Sequence, residues 1–437
     1  MIVTKFGGSS LANAEQYKKV KDIVYADSKR SVVVVSAAGK RDNEDNKITD
    51  LLYLCYAHVK YGVNYDDIFH TIKERYSQIE EELDLDVNLE AQFIDLYSAM
   101  KHSEEDYVVS RGEYLSSILM AQYLGYEAVD AADLIHFNYD GSINEELTFN
   151  SIQAIIKLKP KIVVPGFYGS LPNGKIRLMQ RGGSDITGAI IASALKSELY
   201  ENWTDVSGIL MADPKIVKNP LPISTISIAE LREMAFMGAN ILHEDSISPL
   251  KAYNIPLNIR NTNEPKHPGT IIKQNFDQDV IVTDRFITGI AGKKSAIFLT
   301  LFKEDIAKDT STIRKTLEIL DQVKISVQHM TMGIDSFTIV LGSQHTSDRL
   351  YDVIAEIKKQ SDLIDIRIEE NIAMIAAVGR KMRLRSGISG QLFQALGENH
   401  INIRMITQGT DEISIIVGVS NDDYEKAIKV LYERFTG

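Results

Sequence analysis

The sequence predicts an α/β protein in two parts. A larger domain over residues 1–275 is built on a largely parallel sheet, and residues 276–437 form two α+β units in tandem, with interleaving possible. Three observations predict this. Strand-like and helix-like segments alternate through the first part, the pattern of strands joined by helical crossovers. A polar stretch rich in Pro and Gly, "RNTNEPKHPGT" (260–270), marks the approach to a boundary. Beyond it, "ISVQHMTMGIDSFTIV" (325–340) aligns without gaps on "INIRMITQGTDEISII" (401–416), so one βαββα-type unit occurs twice.

Taken in order, β-branched Ile2 and Val3 make residues 2–6 a strand. Gly7 and Gly8 then allow a sharp turn, and Ser9 or Ser10 would cap a helix beginning near Leu11. Such a junction presents free N–H groups and a helix dipole to an anion, and Lys5 adds a positive charge; an ordinary strand-turn-helix connection is the plainer reading. "SVVVVSAAG" (31–39) reads as a strand buried on both faces, as do "KIVVPGFYGS" (161–170) and "LYENWTDVSGIL" (199–210). Helical patterns cover 113–124 and 184–197, and a charged, helical insertion over about 60–110 covers one side of the sheet. In the tail, helices are expected at 346–359 and 421–435.

A chain of 437 residues needs more than one core, and 44% apolar with 25% charged residues is the composition of a folded protein. No apolar run reaches the roughly 18 residues of a membrane helix, and the N-terminus lacks the basic and apolar regions of a signal peptide. A soluble, cytoplasmic protein is expected, with no membrane partner. The single cysteine, Cys55, sits in a helical apolar pattern and reads as core. A net charge of −12 argues against nucleic-acid binding but leaves room for a locally positive cleft.

Four stretches could carry chemistry. Besides Lys5 with Gly7–Ser10, "LMQRGGSDITGAI" (178–190) is a second Gly-Gly-Ser junction, flanked by Arg181 and Asp185. Ser184 or Asp185 would lie at the helix N-terminus as a cap, whereas the planar fork of Arg181 suits a carboxylate or phosphate. Asp205 follows an apolar run, at the strand end where open α/β sheets bind ligands, or serves as a turn residue. Glu113 in "VVSRGEYLSS" starts an apolar helix, where a solvated first-turn Glu is the plainer reading. "RDNEDN" (41–46) reads as a solvated loop rather than a metal loop. P-loop, G-x-G-x-x-G, H-E-x-x-H and G-x-S-x-G patterns are absent.

"KFGGSS", "SAAGK", "KITDLL", "RGE", "QRGGSD", "WTDVSGI" and "MGANILHEDSISP" occur in the order found in aspartate kinases, and the chain resembles that family of the amino acid kinase superfamily over nearly its whole length. The C-terminal duplication resembles the family's pair of ACT domains (βαββαβ), with "INIRMITQG" close to its last-domain motif. The resemblance implies phosphoryl transfer from ATP, with Mg²⁺, to the β-carboxylate of L-aspartate. That carboxylate is already ionised at neutral pH, so no general base is needed and catalysis is positioning and charge neutralisation.

Carried over by resemblance, Lys5 lies over the transferring phosphoryl, and Gly7, Gly8, Ser9 and Ser10 cradle it. Asp185 organises the catalytic cation and Ser184 lies beside the reacting groups. Arg181 clamps the α-carboxylate, Glu113 and Thr49 hold the amino end, and Ser36 joins the aspartate site. Thr204, Asp205, Leu210, Lys215 and Asn240 resemble the nucleotide side, where Leu210, Lys215 and Asn240 depart from the Tyr, Arg and Lys frequent in relatives. If the repeats are ACT domains, the chain is a homo-oligomer, dimer or tetramer, that binds an amino-acid effector, lysine and/or threonine. Ser295, Ile297, Ser326, Val327, Gln328 and Thr331 are its expected contacts, with Gln328 standing where some lysine-sensing relatives have Asp. A ligand sensor with a decayed kinase domain and a kinase of another amino acid remain open alternatives, while the tail is expected to be sensor and not a fused second enzyme.

Overall fold

The structure is a computed structural model of the chain and describes residues 1–180, 182–239, 246–274, 285–342, 349–360 and 365–437. Arg181 and Asn240, both expected site residues, lie outside the described residues. The chain forms two compact units, one of Met1–Ile209, Pro222–Ile228 and Ile241–Val280, the other of Leu210–Leu221, Ala229–Asn240 and Ile281–Gly437.

The first unit is built on an eight-stranded sheet, with the strand Ile2–Phe6 near its middle between Arg30–Val35 and Leu199–Thr204. All its pairings are parallel except that of Leu257–Asn261 with Thr270–Lys273, so the expected largely parallel sheet is present. Continuous burial of Val32, Val33, Val34 and Val35 explains why that strand is apolar throughout. It ends at Val35, earlier than the expected 39: Ser36 N–H still donates to Phe6 O (3.2 Å), after which the chain turns and Gly39 N–H donates to Gly8 O (2.8 Å). The expected strands at 161–170 and 199–210 are each interrupted, becoming Ile162–Pro165 with Tyr168–Ser170, and Leu199–Thr204 with Ile209–Leu210.

The helical insertion is present as Asp66–Glu82 and Leu89–Ala99, which bury Phe69, Ile72, Tyr76 and Phe93 in one cluster with Phe6, Val33 and Trp203. Cys55 lies in the same cluster, fully buried. Beneath the strands, Glu201 accepts from Arg30 Nε (2.8 Å) and Nη2 (3.0 Å) and from Trp203 Nε1 (2.9 Å), with Arg260 Nη1 3.4 Å away. This network ties Arg30–Val35 on one side of Ile2–Phe6 to Leu199–Thr204 and Leu257–Asn261 on the other.

The second unit carries a six-stranded antiparallel sheet in the order Val327–Met332, Ser336–Leu341, Gly289–Phe302, Asp365–Val378, Ser414–Ser420, Met405–Gln408. Its two long central strands pair with each other, and each is followed by a helix, two shorter strands and a second helix. That is the duplicated pattern read from the sequence, and it buries two separate clusters, one per repeat. The hairpin at Gly333, between Val327–Met332 and Ser336–Leu341, is closed by its N–H donating to Ser336 O (2.8 Å). No helix among the described residues is long and apolar enough to cross a membrane.

Candidate active site

Because the neighbouring strands are parallel, the residues after Phe6, Val35, Pro165 and Thr204 gather at one edge of the sheet. Lys5, one residue before the end of its strand, is 7% exposed, and its cross-strand partner is Asn202. Lys5 Nζ lies 2.6 Å from Asp185 Oδ1, which also accepts from Asn202 Nδ2 (3.1 Å). Two junctions far apart in the sequence thus meet in one ion pair. Asn202 was not singled out from the sequence; its signal is a polar residue inside a buried strand.

The glycine turn after Phe6 is held by Gly7 N–H donating to Trp203 O (2.9 Å) and Ser10 N–H donating to Gly7 O (3.0 Å). A Cβ at Gly7 would lie 3.4 Å from Lys5 Nζ, so the backbone passes directly beside the ammonium. The expected serine cap is corrected here. Gly8–Leu11 is a short 3₁₀ turn, and the helix Ala14–Tyr25 begins later, capped by Asn13 Oδ1 accepting from Gln16 N–H (3.0 Å). Ser9 is half-buried, and Ser10 is buried with its hydroxyl 2.7 Å from Thr262 Oγ1, a strut across to the next strand end.

The second junction also differs from expectation. The helix Gly183–Ala194 is entered through Gly182 in the left-handed region (φ 78°) with no side-chain cap, so neither Ser184 nor Asp185 caps it. Asp185 instead sends its carboxylate to Lys5, and Ser184, 9% exposed, packs so closely on Gly166 that a Cβ there would lie 2.6 Å from its own. Phe167, next along, has φ 80°, an uncommon conformation for a bulky residue, held by its N–H donating to Thr187 Oγ1 (3.1 Å). Nothing in the sequence signals that strain.

Glu113 is not a first-turn residue: its helix spans Glu105–Leu124, and the side chain is 4% exposed. Burial pushes its carboxyl up to about 8, against the lowering effect of the Ala37 backbone N–H and the charges of Arg111 and Lys5. Its Oε2 is buried without a hydrogen-bond partner among the described residues. Ser36 and Thr49 are half-buried, Ser36 on the loop beside Ala37 and Thr49 in the first turn of Ile48–Tyr61, whose N-terminus has no side-chain cap. Thr204 and exposed Asp205 sit at the end of the strand Leu199–Thr204, with Thr204 Oγ1 donating to Asp205 Oδ1 (3.1 Å). Leu210 and Lys215 belong to the other unit.

Within that second unit the expected effector residues divide. Ile297 and Val327 both pair with Leu341 from opposite sides, and Ile297 is buried in the first repeat's core. Ser295, with φ 64°, instead receives Asn421 Oδ1 on its N–H (3.1 Å). Ser326 is exposed and Thr331 pairs with Thr338. Gln328 Oε1 and His329 Nε2 are buried without partners among the described residues.

The amino acid kinase family model matches residues 1–261, and an ACT domain model matches 375–435. Aspartokinase 3 of Bacillus subtilis (strain 168) is 34% identical over 453 residues, covering 100% of this chain and 98% of its own. The crystal structure of an aspartate kinase from Clostridium acetobutylicum matches with a TM-score of 0.92 at 44% identity, over 100% of this chain and 99% of that one. Aspartokinase III of E. coli, solved with aspartate and ADP, matches over 100% of both chains with a TM-score of 0.75 at 25% identity. With the paired glycine junctions, the ion pair that joins them and the duplicated tail in place, these matches assign the chain to the amino acid kinase family, as an aspartate kinase carrying an ACT regulatory region.

Proposed function

We propose that the protein transfers the γ-phosphoryl group of ATP to the β-carboxylate of L-aspartate, giving 4-phospho-L-aspartate and ADP, with residues 1–275 catalytic and 276–437 regulatory. The observation that carries this reading is the ion pair of buried Lys5 with half-buried Asp185 beside a glycine turn, together with the carboxyl oxygen of Glu113 that has no partner among the described residues. The attacking carboxylate needs no base, and the barrier is the approach of one anion to another. Lys5, oriented by Asp185 and Asn202, neutralises charge on the transferring phosphoryl, while the Gly7 and Gly8 backbone and Ser9 and Ser10 shape its cradle. Ser184 lies beside the reacting groups.

The substrate ammonium pairs with Glu113, which ionises as it gains that partner and releases its proton to solvent. Thr49 and Ser36 complete the amino-acid site and Arg181 takes the α-carboxylate. Thr204 and Asp205 stand on the nucleotide side. Among the described residues Lys5 and Asn202 both meet Asp185 at Oδ1, so its Oδ2 and the exposed Asp205 would be the carboxylates open to a Mg²⁺ ion that arrives with ATP, keeps most of its waters and would supply neutralisation of phosphate charge.

Regulation is assigned to an amino acid, lysine alone or with threonine, bound around Ser295, Ile297, Ser326, Val327, Gln328 and Thr331. The buried, unpartnered Gln328 Oε1 supports an effector that brings N–H donors. The chain works as a homo-oligomer, at least a dimer, in the cytoplasm where ATP is supplied. The test is hydroxylamine trapping of the acyl phosphate formed from ATP, Mg²⁺ and L-aspartate, with lysine and threonine added singly and together. Hydroxamate that falls with either effector supports both parts, and absence of hydroxamate from folded protein overturns the catalytic one.

A further inference from the structure

Two adjacent residues of the helical insertion, Arg75 and Tyr76, reach out of their helix into the loop that leaves the strand Arg30–Val35. Arg75 is 3% exposed. Its Nη1 donates to Asn46 O (2.6 Å) and its Nη2 to Gly39 O, so one guanidinium clips both ends of the 40–46 loop. Asp45 lies 3.5 Å away as counter-charge. Tyr76 Oη accepts from Ala38 N–H (3.4 Å) and donates to Gly112 O (2.7 Å), one residue before Glu113. Each peptide from 37 to 39 is thereby fixed: Ala37 N–H by Glu113, Ala38 N–H by Tyr76, Ala38 O by Ile48 N–H (3.1 Å), Gly39 N–H by Gly8 O (2.8 Å) and Gly39 O by Arg75.

There is no slack between this loop and the phosphate cradle. A Cβ on Gly39 would sit 2.5 Å from Gly8 C and 2.7 Å from Ser9 N. Backbone lies on backbone, so displacement of Gly39 is passed to Gly8 without a side chain to absorb it. On the other side, clipping Asn46 fixes where the helix Ile48–Tyr61 begins, and with it Thr49. We propose that Arg75 is a positioning residue for phosphoryl transfer, holding the Gly8 turn and the Thr49 helix start at the separation the two substrates require. The proposal rests on the site reading given above for Gly8, Thr49 and Glu113. An arginine is needed because its planar fork bonds two carbonyls at once, whereas an ammonium is a single point.

The test compares Arg75→Met, Arg75→Lys and Lys5→Met in the full chain, each purified as a folded species and assayed by hydroxamate formation. In Arg75→Met the KM for aspartate is expected to rise about tenfold or more and kcat to fall, as misplacement of reacting groups does. Arg75→Lys should recover part of that KM. Loss of folded molecules alone lowers apparent kcat and leaves KM unmoved, so KM within about twofold of wild type in both Arg75 variants overturns the proposal. Failure of both to fold overturns it as well, by making Arg75 a scaffold residue only. Lys5→Met separates the two readings: if it keeps wild-type kcat, the site assignment itself falls, whereas an inactive Lys5→Met beside an unchanged Arg75→Met removes only the role of Arg75.

Discussion

Glu113 holds a carboxyl group inside the protein next to Ala37, and its proton affinity sets the pH behaviour expected of the site. Its value is raised from the usual 4.5 to about 8. Between those values the unfolded chain has lost the proton that the folded chain keeps, so this group's contribution to stability falls as pH rises through that window and is level above it. Glu113→Gln should therefore stabilise the ligand-free protein at pH above about 8, with no difference from wild type near pH 4, in urea midpoints measured across pH. Calorimetric binding of aspartate at about pH 6.5 should release about one proton, and none above about pH 9; equal proton counts at both pH values would show that Glu113 does not meet the ammonium. Lys5→Met should lower kcat about a hundredfold or more, with aspartate binding retained in calorimetry. At this scale the sequence singled out Lys5 before the first Gly-Gly and Asp185 after the second, and the structure brings these two into one ion pair. It was silent on Asn202 and Phe167, whose roles come from a cross-strand neighbour and from a backbone angle.

The connections between elements depend on contacts with no side chain between them. Gly39→Ala places a methyl group 2.5 Å from Gly8 C, and the loop must move to admit it. A loss of about 1–3 kcal/mol in unfolding free energy is expected, with a fall in kcat larger than that loss of folded protein explains. The buried acid under the sheet is a second such point. Glu201→Leu leaves Arg30 and Arg260 without their carboxylate and should cost about 3–5 kcal/mol, read from denaturant unfolding; a loss below about 1 kcal/mol would mean the guanidiniums find other partners. The alternation of strand and helix and the ungapped repeat carried the fold in the sequence. Element ends were harder to read: "SAAG" looks like more strand, yet its small residues serve close passage past Gly8, and Asn13, not Ser10, closes the first helix because a 3₁₀ turn intervenes.

Across the whole molecule, the second unit ends its sheet in the strand Val327–Met332, whose Met330 and Met332 are about half exposed, with Ile334 on the following turn 74% exposed. Among the described residues this strand pairs on one side only, which makes its apolar side chains the place to test the homo-oligomer proposed above. Met330→Lys with Met332→Lys should shift the protein toward monomer in sedimentation velocity, and an unchanged dimer would place the contact elsewhere. Lysine, if it binds the folded protein, should raise its melting temperature in a concentration-dependent way. The one tryptophan of the chain gives both experiments an internal optical probe. Trp203 is 1% exposed, stacks on Phe6, lies beneath Arg30 and Arg260, and lends its carbonyl to Gly7. Tryptophan emission, excited where the 19 tyrosines do not absorb, therefore originates at a single point directly behind the Gly7–Gly8 turn, and a change in its colour or yield on adding nucleotide reads the surroundings of that turn in real time and without a dye.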